Sequence, residues 1–509
     1  MMAHRFPIEF VRALAWRTPE APAATNGTDV WSYSRLLSEV DAMAAALQDM
    51  AGTTRPRVAV CGNNTLDHAT TVLAVHASGG VLIPINARSS DAEVAAQIGR
   101  VEPHLIFTEK KTAHLFETCT EPLIAGAPFP EARTTAAELR RAFAGQTPTW
   151  PDVSPDDVNG IKFTGGTSGT PKAVEQSFRC VVTLIRTMID VFGFDAGDRH
   201  LCVAPISHGA GTFMVPILAT GGVNHLVEDP KPAHVLDLLE RGAGTTTFLP
   251  PTLIYAIMDA AGGRRPDFAG LRHLIYGAAP MPPEKVIEAR RFFKGKLEAV
   301  YGQTEMPVVM SVLTADDMAD DANIASAGRI TPDCTVEIMD PDGVVLPPNA
   351  VGEIVGKGDL MMNGYYRMPE ETAMTIVDGW LHTGDIGYID DRGFLFIKDR
   401  LRDVIISGGF NVYPIEVEDA LVQHPSVREC VVFSAPDDKW GERVEAALEI
   451  YPHHPATEDE IIAFAKTLIG SVKAPKRVHI SQSLPRSPVG KVVRTEARAW
   501  ALSRGEAEA

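Results

Sequence analysis

The amino-acid sequence predicts an α/β fold: a large N-terminal domain of layered α/β sheets with a small β region, followed by a smaller α+β C-terminal domain. Three observations lead to this prediction. The 509 residues exceed what one compact core usually holds. Through residues 1–325, short apolar runs alternate with stretches of helical period, as in parallel sheets. Beyond that point the pattern changes to short strands with Asp-Gly turns, and a shorter helix–strand unit begins near residue 400.

The first layers show the alternation most clearly. VAVCG (57–61), VLIPIN (81–86) and LIFTE (105–109) predict buried strands, while residues 66–78 and 91–101 have the apolar spacing of helices. Three later apolar runs, each ending in Gly or Pro, continue the pattern at residues 201–205, 245–251 and 273–278. Ligands of such sheets gather at the carboxyl ends of the strands, so we expect a site there.

The C-terminal part predicts a separate unit. PIEVEDALVQHPSV (414–427) and DEIIAFAKTLI (459–469) read as amphipathic helices, and CVVFSA (430–435) and EAALEIY (445–451) read as strands. We therefore place the large domain at residues 1–399 and the small domain at residues 400–509.

Composition narrows the class of function. The formal net charge of −18 argues against nucleic-acid binding, which needs a basic face. The six cysteines are scattered without metal-ligand spacing, which favours reduced thiols and no zinc site. The apolar stretch from Thr71 to Ile85 is interrupted by His76 and two glycines and is too short to span a bilayer. We expect a cytoplasmic protein with no membrane segment.

A loop rich in small and hydroxyl residues predicts a phosphate site. FTGGTSGTPKAV (163–174) follows the apolar Ile161 and is expected to precede a helix. Its backbone N–H groups and hydroxyls can turn toward phosphate oxygens, and Lys172 can add positive charge. The loop is neither a P-loop nor a dinucleotide-binding turn. Taken alone, it could also be a flexible surface loop.

Further motifs accompany this loop in a fixed order. They are YGQTE (301–305), WLHTGD (380–385), KDRLRDVIISGGFNVYP (398–414) and LPRSPVGKVVR (484–494). Together with the loop, which is similar to T-S-G-T-T-G-x-P-K-G, they resemble the adenylate-forming superfamily of acyl-CoA synthetases, nonribosomal peptide adenylation domains and luciferases. The resemblance covers essentially the whole chain and is greatest to bacterial-type fatty- or aryl-acid–CoA ligases. The loop departs from the signature at Gly165, Ser168 and Ala173.

The resemblance implies a two-step reaction. A carboxylate attacks ATP to give acyl-AMP and pyrophosphate, and the acyl group then passes to the thiol of CoA. The expected small molecules are a carboxylic acid, ATP, Mg²⁺ and CoA. Attack of one anion on another needs cation clamps and fixed geometry more than a covalent nucleophile. The implied catalytic residues are Lys491, Thr304, Glu305 and His208, with Glu305 and Thr167 as metal ligands.

The resemblance also implies the nucleotide contacts. Asp385 and Arg400 match the ribose contacts, since a carboxylate can accept from both ribose hydroxyls. Tyr301 would stack on adenine. The full implied set for ATP or AMP is Thr164, Gly165, Gly166, Thr167, Ser168, Gly169, Lys172, Gly277, Ala278, Ala279, Tyr301, Gly302, Gln303, Thr304, Asp385, Arg400 and Lys491.

The acid pocket and the CoA contacts are expected around two other segments. Small residues on two walls, Gly209 to Gly211 and Gly277 to Ala278, predict a deep pocket for an apolar tail. The expected pocket residues are His208, Gly209, Ala210, Phe213, Phe248, Gly277 and Met306. The expected CoA contacts are Ser407, Gly408, Gly409, Trp440, Lys473 and Arg477. The small domain is expected to rotate between the two steps about a hinge near Arg402.

Several alternatives remain open at this stage. The thiol could belong to a carrier protein, the enzyme could oxygenate its adenylate as luciferases do, or a decayed site could only bind. The preferred substrate is a medium- or long-chain fatty acid or an aromatic acid, because no Arg or Asp lies among the expected pocket residues. A homodimer is one possible assembly.

Overall fold

The computed structural model describes residues 5–126, 132–164, 172–407, 409–437, 440–451, 453–486 and 492–505. Its helices are α1 (Pro7–Ala15), α2 (Tyr33–Ala51), α3 (Leu66–Ala77), α4 (Asp91–Val101), α5 (Ala136–Ala142), α6 (Phe178–Phe192), α7 (Gly209–Ala219), α8 (Pro232–Glu240), α9 (Pro251–Ala260), α10 (Pro283–Phe292), α11 (Pro369–Thr375), α12 (Pro414–Val422), α13 (Glu458–Lys473) and α14 (Arg494–Gly505).

The strands are β1 (Pro22–Thr25), β2 (Val30–Ser32), β3 (Arg57–Cys61), β4 (Val81–Pro84), β5 (Leu105–Thr108), β6 (Leu123–Ala125), β7 (Thr134–Thr135), β8 (Val158–Phe163), β9 (Ala173–Ser177), β10 (Arg199–Cys202), β11 (Val223–Leu226), β12 (Thr246–Leu249), β13 (His273–Tyr276), β14 (Leu297–Gln303), β15 (Met306–Leu313), β16 (Gly328–Ile330), β17 (Cys334–Met339), β18 (Gly352–Gly358), β19 (Gly364–Tyr365), β20 (Ile376–Val377), β21 (Trp380–Ile389), β22 (Phe394–Arg400), β23 (Ile405–Ser407), β24 (Phe410–Val412), β25 (Val427–Asp437), β26 (Gly441–Ile450) and β27 (Arg477–Ser481).

The predicted α/β class is confirmed, with two sheets forming the large domain. Within the described residues, the first sheet runs in the order β17-β18-β21-β22-β16-β15-β14-β13-β12-β10-β11-β1-β2, with β20 beside β21. Its strands from β10 to β14 pair in parallel, and those from β14 to β18 pair antiparallel. The predicted small β region is thus a continuation of this sheet.

The second sheet carries the phosphate loop. Its order is β19-β9-β8-β4-β3-β5-β6-β7, and β3, β4, β5 and β8 are parallel, as expected from the strand–helix alternation. Strands β8 and β9, however, pair antiparallel, with Phe163 opposite Ala173. The expected helix after the loop is therefore wrong. The chain returns along the sheet first, and α6 begins only at Phe178, where the Ser177 hydroxyl accepts from the Cys180 N–H.

The core between the helices and the first sheet positions the site. Helices α6 and α7 pack against β12, β13 and β15 through a cluster that includes Phe192, Phe213, Phe248, Met306 and Met310. Phe213 and Phe248 stack with ring centroids 5.4 Å apart. Helix α7 thus sits over the parallel strands, and its first residues face their carboxyl ends.

A third, smaller sheet forms the C-terminal domain. Its order is β24-β23-β26-β25, with β27 pairing parallel to β26, and α12 and α13 pack on it through Val417, Leu421, Ile461 and Ala465. The large sheet's last strand ends at Arg400, and the small sheet's first strand begins at Ile405. In the described ranges, no helix is long and apolar enough to cross a membrane.

Candidate active site

The carboxylate predicted to bind ribose is held by three donors. Asp385 Oδ2 accepts from the Tyr301 hydroxyl and from Gln303 Nε2, both at 2.7 Å. Asp385 Oδ1 lies 3.0 Å from Nε of Arg400. The pairing of β21 with β22 sets Asp385 directly opposite Arg400, so the ladder itself brings the two residues together. The structure thus joins four sequence-predicted residues around one carboxylate.

The electrostatics of this group keep the Tyr301 phenol a hydrogen-bond donor. Burial raises the pKa of Tyr301 well above its ordinary value, and the charge of Asp385 raises it further. The phenol therefore stays protonated and donates. A carboxylate has about four acceptor positions, so three donors leave one for a sugar hydroxyl. Arg400 is half exposed, and its displacement would free a second position.

The turn that carries Thr304 and Glu305 connects β14 to β15. A side chain at Gly302 would lie 2.6 Å from the backbone N of Val308, so this close approach requires glycine. The Thr304 carbonyl accepts from Gln176 Nε2 at 2.9 Å, and the Glu305 carbonyl accepts from the Met362 N–H at 2.8 Å. The second sheet and the β18–β19 segment therefore fix this turn from both sides.

Glu305 and Lys172 are linked by two residues that the motifs did not indicate. The Tyr365 hydroxyl donates to Glu305 Oε1 at 2.8 Å, and Lys172 Nζ lies 4.7 Å from the centre of the Tyr365 ring. Lys172 Nζ also donates to Glu371 Oε2 at 2.6 Å. The cation that sequence reasoning assigned to phosphate thus has a carboxylate partner on α11. Neither Tyr365 nor Glu371 lies in a recognised motif, so only their positions in the fold reveal them.

The neck of the phosphate loop is closed by one backbone bond. The Thr164 N–H donates to the Lys172 carbonyl at 3.0 Å, where β8 and β9 leave the sheet. Residues 165–171, among them the predicted Gly165, Gly166, Thr167, Ser168 and Gly169, lie outside the described residues. The same holds for Gly408 and for Lys491.

His208 stands at the start of α7 as a neutral imidazole. Its Nδ1 lies 2.9 Å from the Ser207 hydroxyl. Burial lowers the pKa of His208 to about 4, and the positive charge of Lys162 contributes in the same direction. At neutral pH the ring can therefore accept or donate a hydrogen bond but carries no charge.

The two small-residue walls do not enclose an open space. A side chain at Gly209 would lie 2.2 Å from the Phe248 ring, and one at Gly277 would lie 3.4 Å from it. The ring of Phe248 thus fills the gap that sequence reasoning assigned to an acid tail. Of the other expected pocket residues, Ala210, Phe213 and Met306 are fully buried in the core beneath it. Small residues alone therefore do not establish an open space, because glycine here admits a neighbouring ring, and the deep acid pocket stays a prediction.

The turn expected to approach the nucleotide follows β13. Gly277 packs against Val300, and Ala278 has a φ of 69°, a left-handed conformation that alanine rarely adopts. Ala279 follows it before Pro280. This turn lies beside the Tyr301 strand because β13 and β14 are parallel neighbours. The fold therefore brings Gly277 to Ala279 next to Tyr301.

A partly open cavity lies on the other side of His208. It has a volume of about 70 Å³ between the second sheet and helices α3, α6 and α7. Its polar lining includes Lys162, His68, His76, Asn159, Gln176 and His208. Sequence reasoning missed Lys162, although a lysine within the otherwise apolar strand before the phosphate loop was a visible signal.

The expected CoA contacts fall into two groups. Ser407 lies opposite Gly441 and Phe410 in the small sheet, so Ser407, Gly409 and Trp440 share one end of it. Three exposed apolar side chains, Ile406, Phe410 and Trp440, mark the same end. Lys473 instead pairs with Glu416, and Arg477 lies opposite Glu445 farther along β26. The structure brings the first group together and not the second.

Arg402 lies between the two sheets. It belongs to a single 3₁₀ turn, Leu401–Asp403, and its side chain is half exposed. On one side of the turn, Asp399 accepts from the Ile415 N–H at the start of α12. On the other, Asp403 and Glu418 both pair with Arg494. The small domain is therefore anchored by Asp399 and Arg494, next to an exposed turn.

Glu305 has the chemistry expected of a Mg²⁺ ligand. Mg²⁺ is usually held by one or two carboxylates together with substrate phosphates and water. Glu305 offers a carboxylate at a partly buried turn, oriented by the Tyr365 hydroxyl. Across the described ranges, no three His, Cys, Asp or Glu residues form a dedicated metal cluster. This arrangement fits a metal ion that arrives with ATP.

Comparisons with known proteins agree with this geometry. Residues 11–366 match the model of the AMP-binding enzyme family, and residues 416–491 match that of the AMP-binding enzyme C-terminal domain. The medium/long-chain-fatty-acid–CoA ligase FadD8 of Mycobacterium tuberculosis is 36% identical over 422 residues, which cover 81% of this chain and 73% of that protein.

Two further similarities span nearly the whole chain. The feruloyl-CoA synthase of an Amycolatopsis species is 32% identical over 490 residues, covering 94% of this chain and 96% of that protein. The solved structure of the amide bond synthetase McbA from Marinactinospora thermotolerans superposes with a TM-score of 0.88 at 30% identity, covering 97% of this chain and 99% of that one.

Proposed function

This chain belongs to the AMP-binding enzyme family and is an ATP-dependent acid–CoA ligase, and we propose that its substrate is a fatty acid of medium or long chain or an aromatic acid. The observation that supports the reaction most directly is the group around Asp385. It offers a buried carboxylate beside the Thr304–Glu305 turn and the neck of the phosphate loop.

In the first half-reaction, an oxygen of the acid attacks the α-phosphorus of ATP and pyrophosphate leaves. Asp385 and Arg400 bind the ribose, and Tyr301 orients Asp385 for that contact. Thr304 donates to the α-phosphate. Thr164, Lys172 and Lys491 supply donors and positive charge to the phosphates and the acid carboxylate. A Mg²⁺ ion held by Glu305 and Thr167, when bound, neutralises charge on the leaving pyrophosphate.

In the second half-reaction, the sulfur of CoA attacks the acyl carbon and AMP leaves. We propose that residues 400–509 turn about Arg402 and present the Ser407–Gly409 hairpin to the pantetheine arm. The exposed Ile406, Phe410 and Trp440 suit an apolar part of that arm. Lys473 and Arg477 are less suited to contact the same molecule, because they lie away from this end.

The substrate class rests on the apolar surroundings of His208. Helix α7 and strand β12 present aromatic and aliphatic side chains there, which suits an uncharged acyl body. Each buried CH₂ contributes about 0.8 kcal/mol, so chain length should affect kcat/KM until the space is filled. Entry of a tail beside Gly209 would require Phe248 to move.

An acid panel with ATP, Mg²⁺ and CoA tests the substrate. Fatty acids of increasing length and substituted benzoates should give higher kcat/KM than acetate or malonate. A panel in which acetate or malonate is best would contradict the proposal. The alternative enzyme loads the acyl group onto a carrier protein instead of CoA. Replacing CoA by a phosphopantetheinylated carrier protein tests it, and faster transfer to the carrier than to CoA would favour that alternative.

Lys491→Ala tests the adenylation role of that lysine. We expect adenylate formation to fall by about two to four orders of magnitude, as for loss of one electrostatic stabiliser. Thioester formation from supplied acyl-adenylate should survive much better. The exposed Lys296, changed to Ala, is the matched control and should alter neither step. Equal losses in both half-reactions would exclude the proposed role.

A further inference from the structure

The cavity behind His208 adjoins the residues proposed to handle the acid and the phosphates. Lys162 precedes Thr164 by two positions on β8. Gln176, on the neighbouring strand, holds the Thr304 carbonyl at 2.9 Å. His208 and Ser207 form the boundary toward α7. The cavity thus borders the strand that leads into the phosphate loop and the side chain that holds the Thr304–Glu305 turn.

Two buried polar atoms in this cavity, His68 Nε2 and Gln176 Oε1, have no hydrogen-bond partner among the described residues. The nearby side chains of His76 and Asn159 interact with each other. His68 and Gln176 are completely buried. A buried polar atom without a partner costs about 1–3 kcal/mol, so two at one cavity require an explanation.

Both atoms are acceptors. His68 Nδ1 lies 2.8 Å from the Asn63 carbonyl and therefore carries the hydrogen. Burial lowers the pKa of His68 to about 4, so the ring is neutral and Nε2 presents a lone pair. Gln176 Oε1 is an amide oxygen. This side of the cavity calls for a hydrogen-bond donor.

Lys162, in contrast, needs a hydrogen-bond acceptor. No Asp or Glu is found among the described residues that line the cavity. Burial lowers the pKa of Lys162, and no carboxylate among its described neighbours opposes that shift. A buried ammonium without a counter-charge is stabilised by an oxygen that accepts from it.

We propose that this cavity receives a hydroxyl group of the substrate acid, with Lys162 donating to the hydroxyl oxygen and the hydroxyl hydrogen donating to one of the buried acceptors. A hydroxyl satisfies both sides, whereas a second carboxylate would accept from Lys162 and face two acceptors. The rest of the lining includes the apolar Val72, Leu184 and Ile185 and the hydroxyl residues Ser207 and Thr212. The substrate class is therefore an apolar or aromatic acid with a distal alcohol or phenol. This inference rests on the proposed function, because it assumes that the bound acid is the one activated.

Ordered water is the competing explanation. A free volume of about 70 Å³ admits more than one water molecule, since about 10–15 Å³ of such volume is enough for one. Such waters could also bridge Lys162 and the acceptors and give the cavity a purely structural role. In that case, a hydroxyl on the acid would not raise kcat/KM.

Matched acids distinguish these two explanations. Cinnamate, 4-hydroxycinnamate and 4-carboxycinnamate form one series, and an alkanoate, its ω-hydroxy acid and its dicarboxylate form the other. In at least one series, kcat/KM for the hydroxy acid should exceed that for the parent acid at least about tenfold, mainly through KM, because a site built for a hydroxyl rejects the analogue that lacks it. The dicarboxylate should be poorer than the hydroxy acid.

Lys162→Met keeps the length of the side chain and removes the charge. The ratio of hydroxy to parent acid should fall toward about one in this variant, with the KM for ATP equal to that of the wild type. Lys296→Met, a charge-matched exposed control, should keep the full ratio. A melting temperature within a few degrees of wild type, about 1 kcal/mol or less, shows that the variant is folded.

The outcomes separate this inference from the proposed function. Thioester formation from all acids without a hydroxyl preference overturns the cavity assignment and leaves the ligase intact. Equal losses for hydroxy and parent acids in Lys162→Met also overturn it, because Lys162 would then act on the shared carboxylate. If no acid is activated, the proposed function fails. Calorimetric binding of hydroxy and parent acids, with and without Lys162→Met, then decides the inference by itself.

Discussion

At the residue scale, the charge at the phosphate end depends on side chains outside the recognised motifs. Glu371 pairs with Lys172, and Tyr365 holds Glu305 while its ring lies under the Lys172 ammonium. These contacts give Lys172 a carboxylate partner of its own and orient the Glu305 carboxylate separately. Binding of the phosphates would therefore exchange one anionic partner of Lys172 for another.

Glu305→Gln should raise the Mg²⁺ concentration needed for half-maximal adenylation at least about tenfold. An amide lacks the negative charge that a Mg²⁺ ligand supplies, and loss of metal-site contacts typically costs 10–100-fold. Pyrophosphate exchange measured over a Mg²⁺ series gives the value. Glu371→Gln is the matched control, which removes a nearby carboxylate without removing the proposed ligand. An unchanged Mg²⁺ requirement in Glu305→Gln would assign the metal to another residue.

Gly209→Ala should destabilise the protein by about 1–3 kcal/mol, as for overpacking of a core. The added methyl would lie 2.2 Å from the Phe248 ring, which is itself stacked on Phe213. Urea unfolding of the single variants and of Gly209→Ala with Phe248→Leu measures the coupling between the two sites. The double variant should recover part of the loss. Simple additivity would mean that Phe248 does not close this space.

At the scale of elements, the connection between the two domains combines a rigid anchor with an exposed turn. Asp399 accepts from the first turn of α12, and burial raises the pKa of Asp399 to about 6 even though Arg494 opposes the shift. The turn Leu401–Asp403 contains no buried residue. Because Asp399 precedes this turn while α12 and Arg494 follow it, rotation of the small domain about the turn would break the Asp399 contacts.

Arg402→Pro should separate the two half-reactions. Proline fixes φ near −65°, which suits a 3₁₀ turn and prevents a large change of that angle. One half-reaction should stay near the wild-type rate and the other should fall at least about tenfold, as for a blocked conformational step. Pyrophosphate exchange and thioester formation from supplied adenylate measure the two. Arg402→Ala is the control for loss of the side chain. Retention of both rates in Arg402→Pro would place the hinge elsewhere.

At the scale of the whole molecule, buried ionisable groups make stability depend on pH in two opposing ways. Burial lowers the pKa of His68, His76, His200 and His208 to about 4. Unfolding returns the pKa of these rings to about 6.5, so the unfolded chain binds more protons than the folded chain below that pH. The histidines' contribution to the free energy of unfolding is therefore lost as the pH falls below 6.5. Burial raises the pKa of Asp399 to about 6 and that of Asp419 to about 7. Their contribution to stability therefore changes in the opposite direction and decreases as the pH rises.

His200→Gln should reduce the pH dependence of stability between about pH 6.5 and 4. Removing one such histidine removes up to about 1.4 kcal/mol per pH unit from the slope of the unfolding free energy. Urea unfolding at pH 6.5, 5.5 and 4.5 gives the slopes of wild type and variant. His234→Gln changes an exposed histidine and should leave the slope as it is. Equal slopes in all three proteins would mean that His200 titrates normally.

The order of elements could be predicted from sequence because it depends on local periodicity. Strands at β3, β4 and β5 and helices α3 and α4 are confirmed to within a few residues, since apolar spacing alone reports which face is buried. The return of β9 against β8 was missed, because a five-residue strand and the first turn of a helix look alike when most of their residues are buried. A pairing between segments cannot be inferred from either one alone.

The motifs predicted which residues would surround a nucleotide, and tertiary structure decided what each one contacts. Tyr301, Gln303, Asp385 and Arg400 stand in two motifs, and their meeting at one carboxylate follows from the register of β21 with β22 and the position of β14. Whether the predicted acid pocket is open or filled could not be predicted in this way. A glycine in a sequence only states that no side chain is present, and whether ligand, solvent or a ring such as Phe248 takes the space depends on packing between distant segments.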